Sequence, residues 1–175
     1  MLALISDDRL QAMIAAVRAA NAWDTVLPLL AAMSEHALDR FLALEAVADH
    51  HVLRGLLGAA ERLEMWQDVL PVAARMPPLL RQRFADVIAY ESSEVIDHII
   101  VAAHDVRSWF GALAVACELP SSGQQRVMQR LSLHFEDCCE SLAAAARDDE
   151  VWRALVLLVP YLPRAQRDRL ASALA

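Results

Sequence analysis

The chain has 175 residues with a formal net charge of −7, and 57% of them are hydrophobic. This composition excludes a disordered chain, since it can form a core, and it disfavours nucleic acid as a partner, since a phosphate backbone attracts basic surfaces. The longest uncharged runs are about half as long as a membrane-spanning helix, so we expect no membrane insertion.

The four tryptophans mark an internal repeat. They are Trp23, Trp66, Trp109 and Trp152, each 43 residues after the one before. Two other residue types recur at the same interval, and we call each set of equivalent positions a column. The alanine column is Ala16, Ala59, Ala102 and Ala145, and the arginine column is Arg40, Arg83, Arg126 and Arg169. The spacing predicts one domain over residues 1–175, built from four units at about 4–46, 47–89, 90–132 and 133–175.

In chain order, each unit is predicted to hold three helices, which we name the leading, tryptophan and arginine helices. The leading helix begins after a capping residue, as at Asp49 and Ser92. The tryptophan helix is short, with N-caps predicted at Thr25 and Asp68, a proline three residues later in its first turn, and an end before a proline such as Pro77. The arginine helix follows. About twelve helices are expected, and no strand, because no segment alternates with a period of two.

A period of about 40 residues made only of helices resembles the armadillo and HEAT class of α-solenoids. The resemblance covers the whole chain and implies an all-α, right-handed α-α superhelix with the leading helices on its concave surface. The glycine and asparagine columns of armadillo units are missing. The proline-terminated helices also resemble the helical cytosolic N-domains of magnesium transporters. Neither resemblance carries a functional residue over.

Two columns admit both a structural and a functional interpretation. The tryptophans would seal the joints between units, or they would stack on bases or on a proline-rich ligand. The arginines would make a repeated ion pair or carbonyl contact, or they would form an anion ladder at Arg40, Arg83, Arg126 and Arg169. The structural interpretation is favoured for both, because the surrounding columns are apolar and repetition by itself indicates only a shared environment.

Charge is segregated by helix type. The leading helices hold most of the acidic excess, increasingly toward the C terminus, whereas the arginine helices are net basic. Either this acidity binds a basic partner or it only keeps the protein soluble. The outward positions predicted to face solvent on one concave strip are Asp8, His51, Glu94, Asp97, Asp137 and Glu140.

One cluster has the residue types of a metal site. His134 and Cys138 have the i, i+4 spacing of zinc ligands on a helix, with Asp137 and Cys139 beside them and Cys117 as a further thiol. The two adjacent cysteines occupy positions that hold valine, leucine or isoleucine in other units. We therefore predict that they belong to the core and expect no metal and no cofactor.

The cysteines and the N terminus bear on the compartment. Three cysteines are too few and wrongly spaced for a disulfide framework. The apolar residues 1–5 lack the basic residues of a secretory signal. We predict a cytoplasmic protein.

No catalytic motif is present, neither a nucleophile elbow nor a phosphate-binding glycine loop. The predicted function is non-enzymatic binding of a protein or peptide partner, through a basic or helical segment laid on the acidic surface. The alternatives are an enzyme or small-ligand-binding protein with its site in the curve of the solenoid, and a regulatory domain like those of the magnesium transporters. Apolar residues at both ends, at 1–5 and at Leu157 and Tyr161, predict either self-association or a neighbouring segment that covers them.

Overall fold

The computed structural model describes residues 6–90, 93–103 and 106–174. Over these residues the chain forms twelve α-helices, two short 3-10 helices and no β-strand. This confirms the predicted all-α class. Residues 1–5 and the predicted cap Ser92 lie outside the described part of the chain.

The α-helices follow one another with short connections. Their bounds are α1 (Asp7–Ala20), α2 (Trp23–Ala31), α3 (Glu35–Leu42), α4 (His50–Leu63), α5 (Trp66–Ala74), α6 (Pro78–Ala89), α7 (Ser93–Ala102), α8 (Val106–Glu118), α9 (Ser121–Leu133), α10 (Phe135–Ala145), α11 (Asp149–Leu158) and α12 (Arg164–Leu174), with 3-10 helices at Glu45–Ala48 and Val159–Tyr161. The leading helices are therefore α1, α4, α7 and α10, and a tryptophan helix and an arginine helix follow each of them.

The starts of the tryptophan helices differ from the prediction. Helices α2 and α5 begin at the tryptophans, so Thr25 lies in the first turn, where its hydroxyl donates to the Ala22 carbonyl at 2.6 Å. Pro28 and Pro71 consequently lie inside the helices. The reason is a sharp turn just before, where a residue in the left-handed conformation redirects the backbone within two residues.

That turn is the same in the first two units. Asn21 and Glu64 end α1 and α4 with φ angles of 49° and 54°. Their amides and those of the residues that follow bond back to the last carbonyls of the helix, as in a left-handed C-cap. Positions 43 residues apart thus adopt one unusual backbone conformation.

The core is continuous from α1 to α12, and α8 lies at its centre. Helix α8 packs against α5, α6, α10 and α11. Gly111 permits the contact with α5, because a Cβ atom there would lie 2.0 Å from the Leu70 carbonyl oxygen. Buried residues extend from Leu10 to Leu170. No helix in the described ranges combines the length and the apolar character that a bilayer crossing requires.

Candidate functional site

Three of the four tryptophans are buried, and each meets the residue 32 positions later on the next leading helix. The pairs are Trp23 with Gly55, Trp66 with His98, and Trp109 with Ser141. At the first joint the indole lies directly on the helix backbone, because a Cβ atom on Gly55 would be 2.2 Å from Nε1 of Trp23.

The other two joints accommodate a side chain. The His98 ring lies beside the Trp66 indole, with ring centroids 6.4 Å apart. At the third joint, Nε1 of Trp109 donates to the Ser141 hydroxyl at 3.3 Å. Each of these indoles therefore packs between one unit and the next, as the structural interpretation predicts, and offers little surface for stacking on a ligand.

Trp152 departs from this pattern. It is 43% exposed, whereas Trp109 is 1% exposed. The prediction of four equivalent buried indoles is thus wrong for Trp152, which no leading helix in the described ranges covers.

The four arginines of the repeated column all have partners within the chain. Arg40 binds Asp7 with 2.5 Å between Nη2 and Oδ1, and Arg169 binds Glu136, both carboxylates lying in the first turn of a leading helix. The two middle units have no carboxylate at that position. There Arg83 donates to the Ala48 carbonyl at 2.8 Å, and Arg126 donates to the Ala89 carbonyl at 3.3 Å. The outer two arginines thus hold the first turn of a leading helix, whereas Arg83 and Arg126 bind carbonyls of the segments that precede α4 and α7. An anion ladder would have to displace these contacts.

Of the residues predicted to form the acidic strip, Asp97 is not free. Its carboxylate lies between Arg130 of α9, whose Nε donates to Oδ1 at 2.6 Å, and His134, whose Nε2 is 3.6 Å from the same oxygen. The Asp97 side chain is only 18% exposed, and the bond from Arg130 lowers its pKa. The expectation that Asp97 points to solvent is wrong, because Arg130, 33 residues further along the chain, reaches it.

The remaining predicted residues are exposed. Asp8 and His51 lie at the starts of α1 and α4, and the other three lie on α7 and α10. Glu94, Asp137 and Glu140, which we name the acidic surface, make no ion pair with any residue that the structure describes. The contact of Asp97 with His134, the residue before α10, brings the starts of α7 and α10 together.

Residues from all four predicted units line a groove that the sequence did not predict. It encloses about 450 Å³ and is lined mainly by the tryptophan helices. Arg75 enters it and binds Asp39, with 2.6 Å between Nη2 and Oδ2, which lowers the pKa of that carboxyl. Arg107 lies 3.4 Å from Glu35 on the same wall. The signal in the sequence is the charge of Arg75 at the end of the otherwise apolar run at 69–76.

The cysteines lie in and beside the core. Cys138 and Cys139 are buried, and burial raises the pKa of the Cys138 thiol to about 11. The Cys117 thiol is 3.6 Å from the Ala154 carbonyl oxygen. Within the described ranges, no three His, Cys, Asp or Glu side chains converge as metal ligands would.

Comparison with protein-family models, with curated proteins and with solved structures gave no match. Function is therefore inferred from the geometry of this chain alone.

Proposed function

We propose that the chain is a non-enzymatic, cytoplasmic α-solenoid of four 43-residue repeats that binds a basic or helical segment of a partner protein. Three observations support the repeat. Each unit holds three helices, two left-handed residues lie 43 positions apart, and three indoles each contact the residue 32 positions later. Repeats that contact only their neighbours form extended surfaces, which suit an elongated protein segment.

The observation that carries the binding proposal is the unpaired state of the acidic surface. Most arginines of this chain already bind a carboxylate or a carbonyl, yet Glu94, Asp137 and Glu140 remain exposed without such a partner in the described structure. Exposed carboxylates of one sign attract a basic segment and raise its association rate. The exposed Asp8 and His51 extend the proposed surface along the other leading helices.

A labelled, arginine-rich helical peptide is the probe that tests this. We expect saturable binding in fluorescence anisotropy that weakens as salt rises through the physiological range, where the Debye length is about 8 Å. The double variant Asp137→Asn, Glu140→Gln should weaken binding by about tenfold or more. Its fold should persist, because exposed substitutions usually change stability by less than about 0.5 kcal/mol.

A matched control separates local contacts from net charge. The double variant Glu61→Gln, Asp86→Asn removes the same two charges from exposed positions outside the acidic surface. It should bind the peptide nearly as well as the wild type. Equal loss of binding in both variants would show that net charge alone attracts the peptide and would refute the proposed surface.

The groove supports a second candidate, a small zwitterionic ligand. Its carboxylate would meet the exposed Arg107, and its amine would meet the carboxylates Asp148 and Glu150, which also line the groove. A pocket of this volume lies within the range of small-molecule sites. Screening a set of zwitterionic metabolites by thermal shift would test it. A stabilising compound whose effect disappears in Arg107→Gln would favour this candidate, and no hit from the set would count against it.

A further inference from the structure

The last tryptophan helix exposes a face that the earlier ones bury. Trp152, Val156 and Val159 have the i, i+4, i+7 spacing of one helix face. Trp152 is 43% exposed and Val156 is 46% exposed. In the other units the same face is buried, and it consists of Trp23, Leu27 and Leu30, then Trp66, Leu70 and Ala73, then Trp109, Leu113 and Ala116.

In those three units, the cover over this face is the next leading helix. The contacts of Trp23 with Gly55 and of Trp109 with Ser141 place the indole against the second turn of α4 and of α10. The exposed face of α11 therefore matches the tryptophan side of these three joints. A leading helix placed against it with the same spacing of residues would complete a fourth.

The first leading helix exposes the matching half. Ala12 occupies the register position of Gly55, His98 and Ser141, and it is exposed on α1. The alanine column shows the same difference. Ala16 is exposed, whereas its equivalents Ala59 and Ala145 are 0% and 1% exposed. The exposed side of α1 is built largely from alanine, so an indole can approach its backbone closely.

We propose that two copies of this chain associate head to tail, with α1 of one copy covering the Trp152 face of the other. The proposal rests on the repeat architecture inferred above, but not on the acidic surface. The joint would repeat the register of the three internal ones, and Ala12 falls within the size range of glycine, serine and histidine that meet the other indoles. Arg9 stands where Val52 and Val95 stand in α4 and α7, and its aliphatic stem can cover apolar surface while its guanidinium stays in water.

A head-to-tail contact joins two different surfaces, so it can continue to further copies as a ring or a filament. Sedimentation velocity of the wild type should therefore show a weight-average mass that rises with concentration to at least twice 19.3 kDa. Tryptophan emission should shift to shorter wavelength over the same range, as Trp152 becomes buried.

Two blocked variants identify the surfaces. Ala16→Arg blocks the head and Trp152→Arg blocks the tail, and each alone should remain monomeric. A 1:1 mixture should form a heterodimer and nothing larger, because one variant retains its tail and the other its head. Val156→Arg serves as a second tail variant if Trp152→Arg does not fold, and Tyr90→Arg, at an exposed aromatic away from both faces, should assemble like the wild type.

Three outcomes would overturn the proposal. A wild type that stays monomeric at all concentrations would show that something other than a second copy covers the Trp152 face. An Ala16→Arg variant that still assembles would mean that the Trp152 face pairs with itself. A mixture that stays monomeric would exclude the head-to-tail contact. None of these outcomes bears on peptide binding by the acidic surface, which is measured in its own anisotropy experiment with the variants of Asp137 and Glu140.

Discussion

At the scale of residues, the side chain that meets each indole determines how closely two units approach. Gly55 allows Trp23 to lie on the backbone of α4, whereas His98 and Ser141 hold their indoles further away or bond to them. The three joints therefore share the same spacing of 32 residues but differ in the group that meets the indole.

This gives a prediction for the two glycines of α4. Glycine is less favourable than alanine in a helix by about 1 kcal/mol, so propensity alone favours alanine at both positions. Gly55→Ala should nevertheless destabilise the protein by about 1–3 kcal/mol, because its Cβ atom would overlap the Trp23 ring. Gly58→Ala should be neutral or stabilising, since its Cβ atom would lie 3.2 Å from Nη1 at the far end of the exposed Arg62 side chain, which can shift slightly. Urea unfolding compares the two variants, and equal effects would contradict the contact.

At the scale of elements, Asp97 joins three helices. It lies on α7, accepts from Arg130 near the end of α9, and contacts His134 at the start of α10. The contact brings charged groups from separate elements together in a partly buried place, where an ion pair is screened less than at the open surface.

The lowered pKa of Asp97 predicts an acid-dependent stability. A carboxylate whose pKa is lower in the folded than in the unfolded state stabilises the fold above the unfolded pKa of about 4, and this stabilisation is lost as pH falls through the folded pKa. The melting temperature of the wild type should therefore exceed that of Asp97→Asn at pH 7, and the difference should shrink below about pH 4. For Asp86→Asn, an exposed site, the difference should be small throughout. A gap for Asp97→Asn that is independent of pH would disprove this role.

At the scale of the whole molecule, burial is concentrated in the middle of the chain. Helix α8 contacts helices from the second, third and fourth units, and α5 buries Trp66 and four further residues. Among the described residues of the terminal helices, α1 buries Leu10 and Ile14, and α12 buries Leu170. Local opening is easiest where few apolar contacts are buried, so the terminal helices should open more easily than α5 and α8.

Hydrogen exchange followed by mass spectrometry tests this distribution. At protein concentrations low enough to keep the chain monomeric, amides of α5 and α8 should exchange slowest, and those of α1 and α12 should exchange fastest. Higher concentration should add protection to α1 and α11 if copies join head to tail. Equal protection in all helices would instead indicate a single cooperative unit without weaker ends.

The sequence by itself determined the all-α class, the number of helices and the burial of three of the four tryptophans, but not that of Trp152. Apolar residues at helical spacing, capping residues and prolines at helix ends act within a few turns of helix, so they can be recognised locally. The exact 43-residue period adds that equivalent positions have similar surroundings. Of the two residues at the left-handed turns, Asn21 is a residue type that often ends a helix in this conformation, whereas Glu64 is not, so the sequence offered no signal for where α5 begins.

Only the tertiary structure decided which charged groups meet. Asp97 and Arg130 are 33 residues apart and do not recur in other units, so no column revealed their contact. The groove likewise depends on how helices from along the whole described chain lie together, and the exposure of Trp152 depends on how α11 packs against its neighbours. Periodicity describes what units share, whereas ion pairs, grooves and open ends arise where units differ or where the packing stops.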